Sequence, residues 1–268
     1  MSVRRHGSGR RVLAASSVGV LTGHLLPAAT WLPVVRRATP RLAGRGARGH
    51  VALTFDDGPG PRSTPRVLDE LDALGLRATF FMLGVRAAAR PDLAKAVARA
   101  GHEVAVHGWS HHYALGEPLP MVRTRLRRAL EVITDATGQP SRWFRPPYGV
   151  LTADALLAAR SLGLRPVLWT VWGRDWAPTA SPESIMRNFG QGLRGGATLL
   201  LHDAHHASPA ATAEATASAL PVLHQRCLER GLTLGPLAEH GVGGTATAGR
   251  DHVIPRPLCS GDGRCTDP

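Results

Sequence analysis

Val51-Ala52-Leu53-Thr54-Phe55-Asp56-Asp57-Gly58-Pro59 is the stretch whose reading decides the fold. Its first five residues form a mainly apolar run of strand length. Two carboxylates end the run, and Gly58-Pro59 stops any helix. Like charges side by side need something that keeps both ionised, and a bound cation is the commonest arrangement that does so. The competing reading is a solvated turn after a strand, since Asp-Gly-Pro is ordinary turn chemistry. The pair alone does not choose between them.

Outward from this strand, short apolar runs alternate with helix-like stretches. Thr64 to Leu74 has apolar residues at helical spacing and stops at Gly75. Ala78 to Leu83 reads as a strand, Pro91 to Ala100 as a helix ended by Gly101, and Glu103 to Val106 as a strand entering His107. Met121 to Thr137 reads as a long helix closed by Gly138. Trp143-Phe144-Arg145 is strand-like, Thr152 to Leu162 helical, and Pro166 to Val171 a strand. Pro182 to Leu193 reads as a helix capped by Ser181, and Ala197 to Leu201 as a buried strand entering His202-Asp203. Ala210 to Arg230 is helical, and Leu232 to Leu234 a last short strand. Repeated βα units imply an α/β fold, a parallel sheet flanked by helices. With about seven units, a closed or nearly closed barrel is more natural than an open sheet, so a distorted (β/α)7-type barrel is expected.

The chain of 268 residues is long enough for a sizeable core. It divides into a leader and connector over 1–49, one domain over 50–240, and a tail without periodicity over 241–268, expected to be poorly ordered. In the leader, Arg4, Arg5, Arg10 and Arg11 precede a mainly apolar, uncharged run from Val12 to Val35, and Arg36-Arg37 follow it. That order reads as a signal sequence or a single membrane anchor, and so as a cell-envelope or secreted protein with membrane association through this segment. His24, Pro27, Pro33 and two glycines interrupt the run. The alternative is a soluble segment that packs on the domain. Arg36 to Gly49 reads as a short basic connector.

A formal net charge of +12 first suggests a nucleic-acid or membrane-surface binder. The kind of base argues otherwise: Lys95 is the only lysine, the arginines are dispersed, and no basic stripe interleaved with aromatics appears. No nucleic-acid partner is expected, and no protein partner is implied. Cys227, Cys259 and Cys265 form no C-x-x-C pair and no zinc cage, though Cys259 and Cys265 would close a small loop in an oxidising compartment. Gly44-Arg45-Gly46-Ala47-Arg48-Gly49 matches a nucleotide fingerprint in letters, yet it precedes a strand where the fingerprint must follow one. No nucleophile elbow or Walker A sequence occurs.

Chemically loaded residues recur where the predicted strands end: Asp56-Asp57, His107, Arg145, Asp175 and His202. In parallel α/β folds those ends share one face, where sites form. His107 and His111 stand four apart in His-Gly-Trp-Ser-His, and a helical turn there would put both imidazoles on one face, as zinc ligands often are. A zincin would carry its glutamate base beside the first histidine, where this chain has Gly108. The base must come from elsewhere, and the Asp pair is the obvious donor. One aspartate with two histidines leaves positions open for water and substrate. His112 reads as solvent-facing or as a support behind the ligands, and His205 and His206 as a solvated loop. Taken singly, Arg145 would be a surface arginine, Asp175 a turn cap and His202 a satisfied core histidine. Trp169, Trp172 and Trp176 are as readily core or wall as sugar platform.

These motifs, in this order, resemble the polysaccharide deacetylases of the NodB-homology class, carbohydrate esterase family 4, over about Gly49 to Leu237. The resemblance implies that family's fold and a hydrolase of linear amides that removes N-acetyl groups from N-acetylglucosamine-type residues of a peptidoglycan or chitin-like polysaccharide. It implies one divalent metal ion, zinc, with cobalt or another transition metal as alternatives. Thr54 to Pro59 then supplies Asp56 as general base and Asp57 as metal ligand, and His107 and His111 complete the ligand set. Arg145-Pro146-Pro147-Tyr148-Gly149 implies an Arg145 that orients Asp56 and a Tyr148 backbone N–H in the oxyanion hole. Trp169 to Trp176 implies Asp175 orienting the catalytic histidine. Leu199 to Asp203 implies His202 as general acid. Pro147, Tyr148, Trp176 and Leu200 would contact substrate, with Trp176 lining the acetyl pocket and Leu200 beside the methyl. Two departures stand out: Gly108 replaces the usual Ser or Thr, and Trp172 stands where many members have an aspartate. An O-acetyl esterase and a catalytically silent carbohydrate-binding module of the envelope are the alternatives.

Overall fold

The strand that carries the Asp pair, β1 (His50–Asp56), is buried along its whole length and lies at the centre of a parallel sheet. The structure is a computed structural model and describes residues 26–204 and 210–242. The leader up to residue 25, His205 and His206, most of the tail, and Cys259 and Cys265 lie outside the described residues. Among the described residues, no helix is long and apolar enough to cross a membrane.

After a 3-10 turn (Leu26–Trp31) and α1 (Pro33–Ala38), the chain enters β1 and then α2 (Ser63–Ala73), β2 (Thr79–Met82), α3 (Gly84–Ala89), α4 (Pro91–Arg99) and β3 (Glu103–Val106). There follow α5 (Leu119–Thr137), β4 (Trp143–Phe144), α6 (Ala153–Ser161), β5 (Arg165–Pro166) and β6 (Val171–Trp172). The last elements are α7 (Pro182–Phe189), β7 (Thr198–His202), α8 (Ala210–Glu229) and β8 (Thr233–Gly235). The strand order is β5-β4-β3-β2-β1-β7-β6, with β8 paired to the start of β1, and every pairing is parallel. The sheet curls into a half-barrel with one large apolar core between strands and helices, from Val51, Leu53 and Phe55 to Leu220 and Leu223, while the alternate strand residues Ala52, Phe81, Ala105 and Trp143 form a separate, smaller cluster on the other face.

The helices form for the reasons their spacing suggests. Helix α5 buries Val122, Leu126, Ala129 and Ile133, one stripe at helical period, and ends at Gly138 in the left-handed conformation (φ +70°). Ser181 caps α7 in a reciprocal capping box with Ser184. Helix α7 stops at Phe189, earlier than the expected Leu193, where Gly190 leaves helical geometry.

One expectation fails in an informative way. Pro166 to Val171 is not a strand. Its two ends pair with opposite margins of the sheet, Arg165–Pro166 with β4 and Val171–Trp172 with β7. Between them the backbone is bonded to whatever it passes: Val167 N–H to Phe144 O, Leu168 N–H to Leu42 O, and Thr170 N–H to Thr198 O. One bent segment thus spans the gap between the two margins, which do not pair with each other.

The connector is packed rather than extended. Ala43 is buried, Thr198 Oγ1 donates to Gly44 O at 2.6 Å, and Gly46 N–H donates to Gly196 O at 3.1 Å. Gly44 has φ +76°, and a Cβ there would lie 2.8 Å from Leu168 O, so this crossing needs a glycine.

Below β1, His50 and His240 face each other with Nδ1 atoms 2.9 Å apart, and both are buried. Burial, reinforced by the neighbouring His50, pulls His240 down to about 4. Burial likewise lowers His50, against the opposing pull of Glu239. The folded state therefore binds fewer protons here than the unfolded chain, and this contribution to stability is lost as pH falls below about 6.5 toward 4. By pH 5 it amounts to roughly 2 kcal/mol for His240. Replacing His240 by Gln should shrink the drop in urea midpoint of the metal-free protein between pH 7 and pH 5. An identical drop in the variant would show that the pair does not carry this dependence.

Candidate active site

All the strand-end residues singled out in the sequence gather at or just beyond the carboxyl ends of β1, β3, β4, β6 and β7. Register explains the first pairing: Asp56 on β1 lies opposite His202 on β7. The chain then leaves β1 through Asp57, a non-glycine residue at φ +76°, which turns the second carboxylate away from the first.

The two aspartates have different company. Asp56 Oδ1 accepts from Arg145 Nη1 at 2.7 Å, and Oδ2 lies 3.7 Å from His107 Nε2. Asp57 Oδ1 lies 3.5 Å from both His107 Nε2 and His111 Nε2. Burial pushes Asp57 toward the neutral form, but His107, His202, His111 and Arg86 outweigh it and hold the carboxyl below the usual range. Arg86 also donates to Asp57 O at 3.0 Å.

Arg145 is fully buried. Its Nη1 donates to Thr54 Oγ1 (2.8 Å) as well as Asp56, its Nη2 to Leu168 O (3.2 Å), and its guanidinium lies 4.0 Å above the Phe81 ring centre. Its own carbonyl accepts from His107 Nδ1–H at 2.8 Å, which turns the Nε2 lone pair toward Asp57.

The helical turn expected across His107 to His111 is absent. Gly108 takes φ +96° and the chain bends, yet the imidazoles still meet with ring centres 5.3 Å apart. The positive φ accounts for a glycine where a hydroxyl residue was the alternative. The loop is steadied by backbone instead: Gly84 N–H donates to Gly108 O (2.9 Å) and Val85 N–H to Trp109 O (2.8 Å). His112 is largely exposed and lies 3.2 Å from Glu117.

On the other flank, Asp175 is fully buried. Its Oδ1 lies 2.9 Å from His202 Nδ1, and its Oδ2 accepts from His202 N–H (2.7 Å) and Thr216 Oγ1 (2.9 Å). Burial opposes a charged His202, but Asp175, with Asp57 and Asp56 behind it, raises the imidazole to about 9. Tyr148, at φ +58°, packs its ring on His111 (centres 4.2 Å) and stacks on Tyr113 (3.9 Å). Pro147 is buried, Leu200 is buried beside Trp169, and Trp176 is exposed beside Trp172 (centres 6.0 Å).

Sequence reading missed Asp203. It is buried, its Oδ2 accepts from Thr64 Oγ1 at 2.6 Å, and its N–H donates to Asp56 O at 3.2 Å. Burial lifts its carboxyl to about 7. A Cβ on Gly58 would lie 2.1 Å from Oδ2, so Asp203 and Gly58 fit as a pair behind the Asp turn. Its place directly after His202 was the available signal.

Asp57, His107 and His111 offer ligand atoms that all lie within 4.8 Å of one another. Asp57 Oδ1 is buried without a hydrogen-bond partner. A buried acceptor left unpaired and aimed at two imidazole nitrogens fits a divalent cation.

Residues 43–167 match the family described as Polysaccharide deacetylase. The chain is 36% identical over 197 residues to chitooligosaccharide deacetylase of Bradyrhizobium sp. (strain ANU 289), covering 70% of this chain and 89% of that protein. It is 30% identical over 200 residues to a peptidoglycan-N-acetylglucosamine deacetylase of Listeria monocytogenes, covering 75% of this chain and 41% of that longer protein. A family 4 carbohydrate esterase from Streptomyces lividans, solved in complex with acetate, superposes with TM-score 0.63 at 33% identity over 70% of this chain and 93% of that one. A carbohydrate esterase family 4 pseudoenzyme from Bacillus anthracis superposes with TM-score 0.65 at 26% identity over 72% of this chain and 65% of that one.

Two variants probe this geometry. His111→Ala should weaken binding of Zn²⁺ or Co²⁺ by about 100-fold or more in titration calorimetry, while His112→Ala leaves it unchanged. Asp175→Asn should bring the His202 imidazole of the metal-free protein down from about 9 toward its ordinary 6.5, read by NMR titration. An unmoved titration would remove Asp175 as the cause.

Proposed function

The chain belongs to the polysaccharide deacetylase family, and we propose that it removes N-acetyl groups from N-acetylglucosamine units of a peptidoglycan or chitin-like polymer. The observation that carries this reading is the separation of the two carboxylates, one held by arginine and one facing two histidines. A binding module needs no such division, nor a distal His–Asp couple.

Asp57, His107 and His111 would hold the cation, which when bound polarises the acetyl carbonyl and lowers the pKa of water from 15.7 to about 7. Two imidazoles and a carboxylate suit zinc, with cobalt able to take the same donors. Asp56 accepts the proton of the attacking water, and Arg145 fixes its orientation through Oδ1. The Tyr148 N–H is the donor assigned to the oxyanion. As the new C–O bond forms and the C–N bond breaks, the leaving nitrogen must gain a proton. His202 supplies it, since Asp175 keeps the ring protonated at neutral pH. Acetate and a free amino sugar result. Leu200 and Trp176 would wall the acetyl group.

We place this activity at the cell envelope or outside the cell, with membrane association through the part of the leader that precedes Leu26, since the turn from Leu26 to Trp31 packs on the domain. The order of basic, apolar and basic residues before the domain supports this, and so does an extracytoplasmic polymer as substrate.

Wild-type protein loaded with Zn²⁺ or Co²⁺ should release acetate from chito-oligosaccharides or peptidoglycan fragments. Asp56→Asn should lower kcat by about 10²-fold or more and leave metal affinity intact. Tight sugar binding without acetate release by the wild type would favour the silent module, and faster release from an O-acetylated polysaccharide the esterase.

A further inference from the structure

Trp31 belongs to the turn that precedes α1, outside the βα units, yet it stands at the rim of the site. Its ring packs edge-to-face on Trp169 with centres 5.4 Å apart. Trp169 in turn lies 5.8 Å from the Arg145 guanidinium and shares a buried cluster with Leu200. A Cβ on Gly149, the residue after Tyr148, would lie 2.9 Å from Trp31 Cζ2. Trp31 is thus one side chain removed from both the base-orienting arginine and the acetyl-pocket leucine. Arg36 pins it, with its guanidinium 5.6 Å over the Trp31 ring and an Nη2 that donates to Trp169 O.

Trp31 is held from one side by Trp169 and Arg36 and leaves 44% of its surface open, whereas Trp169 is covered at 7% exposure. A rigid indole held beside an active site is a surface for the C–H face of a pyranose ring. We infer that Trp31 binds a sugar neighbouring the one being deacetylated, so that the segment ahead of the barrel gives the enzyme its preference for longer chains. This rests on the deacetylase reading and adds to it a residue from outside the βα barrel.

The test compares Trp31→Ala and Trp31→Leu with wild type on chitobiose and chitopentaose. Trp31→Leu keeps apolar packing against Trp169 should the alanine variant fail to fold. The expected result is a roughly tenfold rise in KM for the pentamer, the equivalent of about 1.4 kcal/mol of lost ring contact, with kcat and the dimer's kcat/KM within about twofold. Trp31→Phe should recover most of the loss. Equal losses on both substrates, or none on either, overturn the inference. If the wild type deacetylates nothing, it is the deacetylase reading that fails. Calorimetric titration of chitopentaose into wild type and Trp31→Leu then still decides the role of Trp31, with equal affinities counting against it.

Discussion

A guanidinium buried without any solvent contact is the constraint around which the site is arranged. Removing an arginine from water costs several kcal/mol unless a carboxylate and further acceptors meet it. Arg145 finds Asp56 and Thr54 on β1, Leu168 O on the bent closing segment, and the face of Phe81 on β2. Its own carbonyl fixes His107 at the end of β3. One side chain directly after β4 therefore ties together most of the half-barrel. It also resolves the problem of adjacent like charges: Asp56 is compensated by Arg145, and Asp57 faces the two histidines in an arrangement that fits a cation.

Backbone strain is placed accordingly. Among the described residues, the non-glycine positions with positive φ are Asp57, Tyr148 and Arg174. Each adjoins or belongs to the proposed site: the proposed ligand Asp57, the proposed oxyanion donor Tyr148, and Arg174 beside Asp175. Such conformations persist where surrounding bonds over-determine them. Asp57 has Arg86 on its carbonyl and Asp203 behind its turn, while Tyr148 is wedged between His111 and Tyr113.

Much of this was legible in the sequence because strands in a parallel barrel deliver their last residues to one face. The apolar runs located Asp56, His107, Arg145 and His202 without further information. Local geometry was less legible. The spacing of His107 and His111 suggested a helix, whereas a glycine bend brings the rings together, because metal spacing constrains where side chains end and not how the backbone arrives. Pro166 to Val171 had strand composition but serves two sheet margins at once, a tertiary demand that periodicity does not encode. Helix α3 went unseen because Gly84–Ala89 is one short turn without a capping side chain. Its role lies in two backbone N–H groups, which leave no mark on residue type. Arg145 gave no sign of its depth, and Trp31 sat in a stretch whose composition suggested a leader.

The bent segment from Arg165 to Trp172 has a consequence of another kind. Open sheets end in long strands whose unpaired N–H and C=O groups invite a second copy to add on, a route to aggregation. Here the two margins are the two ends of one segment, each a strand of only two residues. Neither is long enough to template another chain. The half-barrel can thus stay incompletely closed without carrying an adhesive edge.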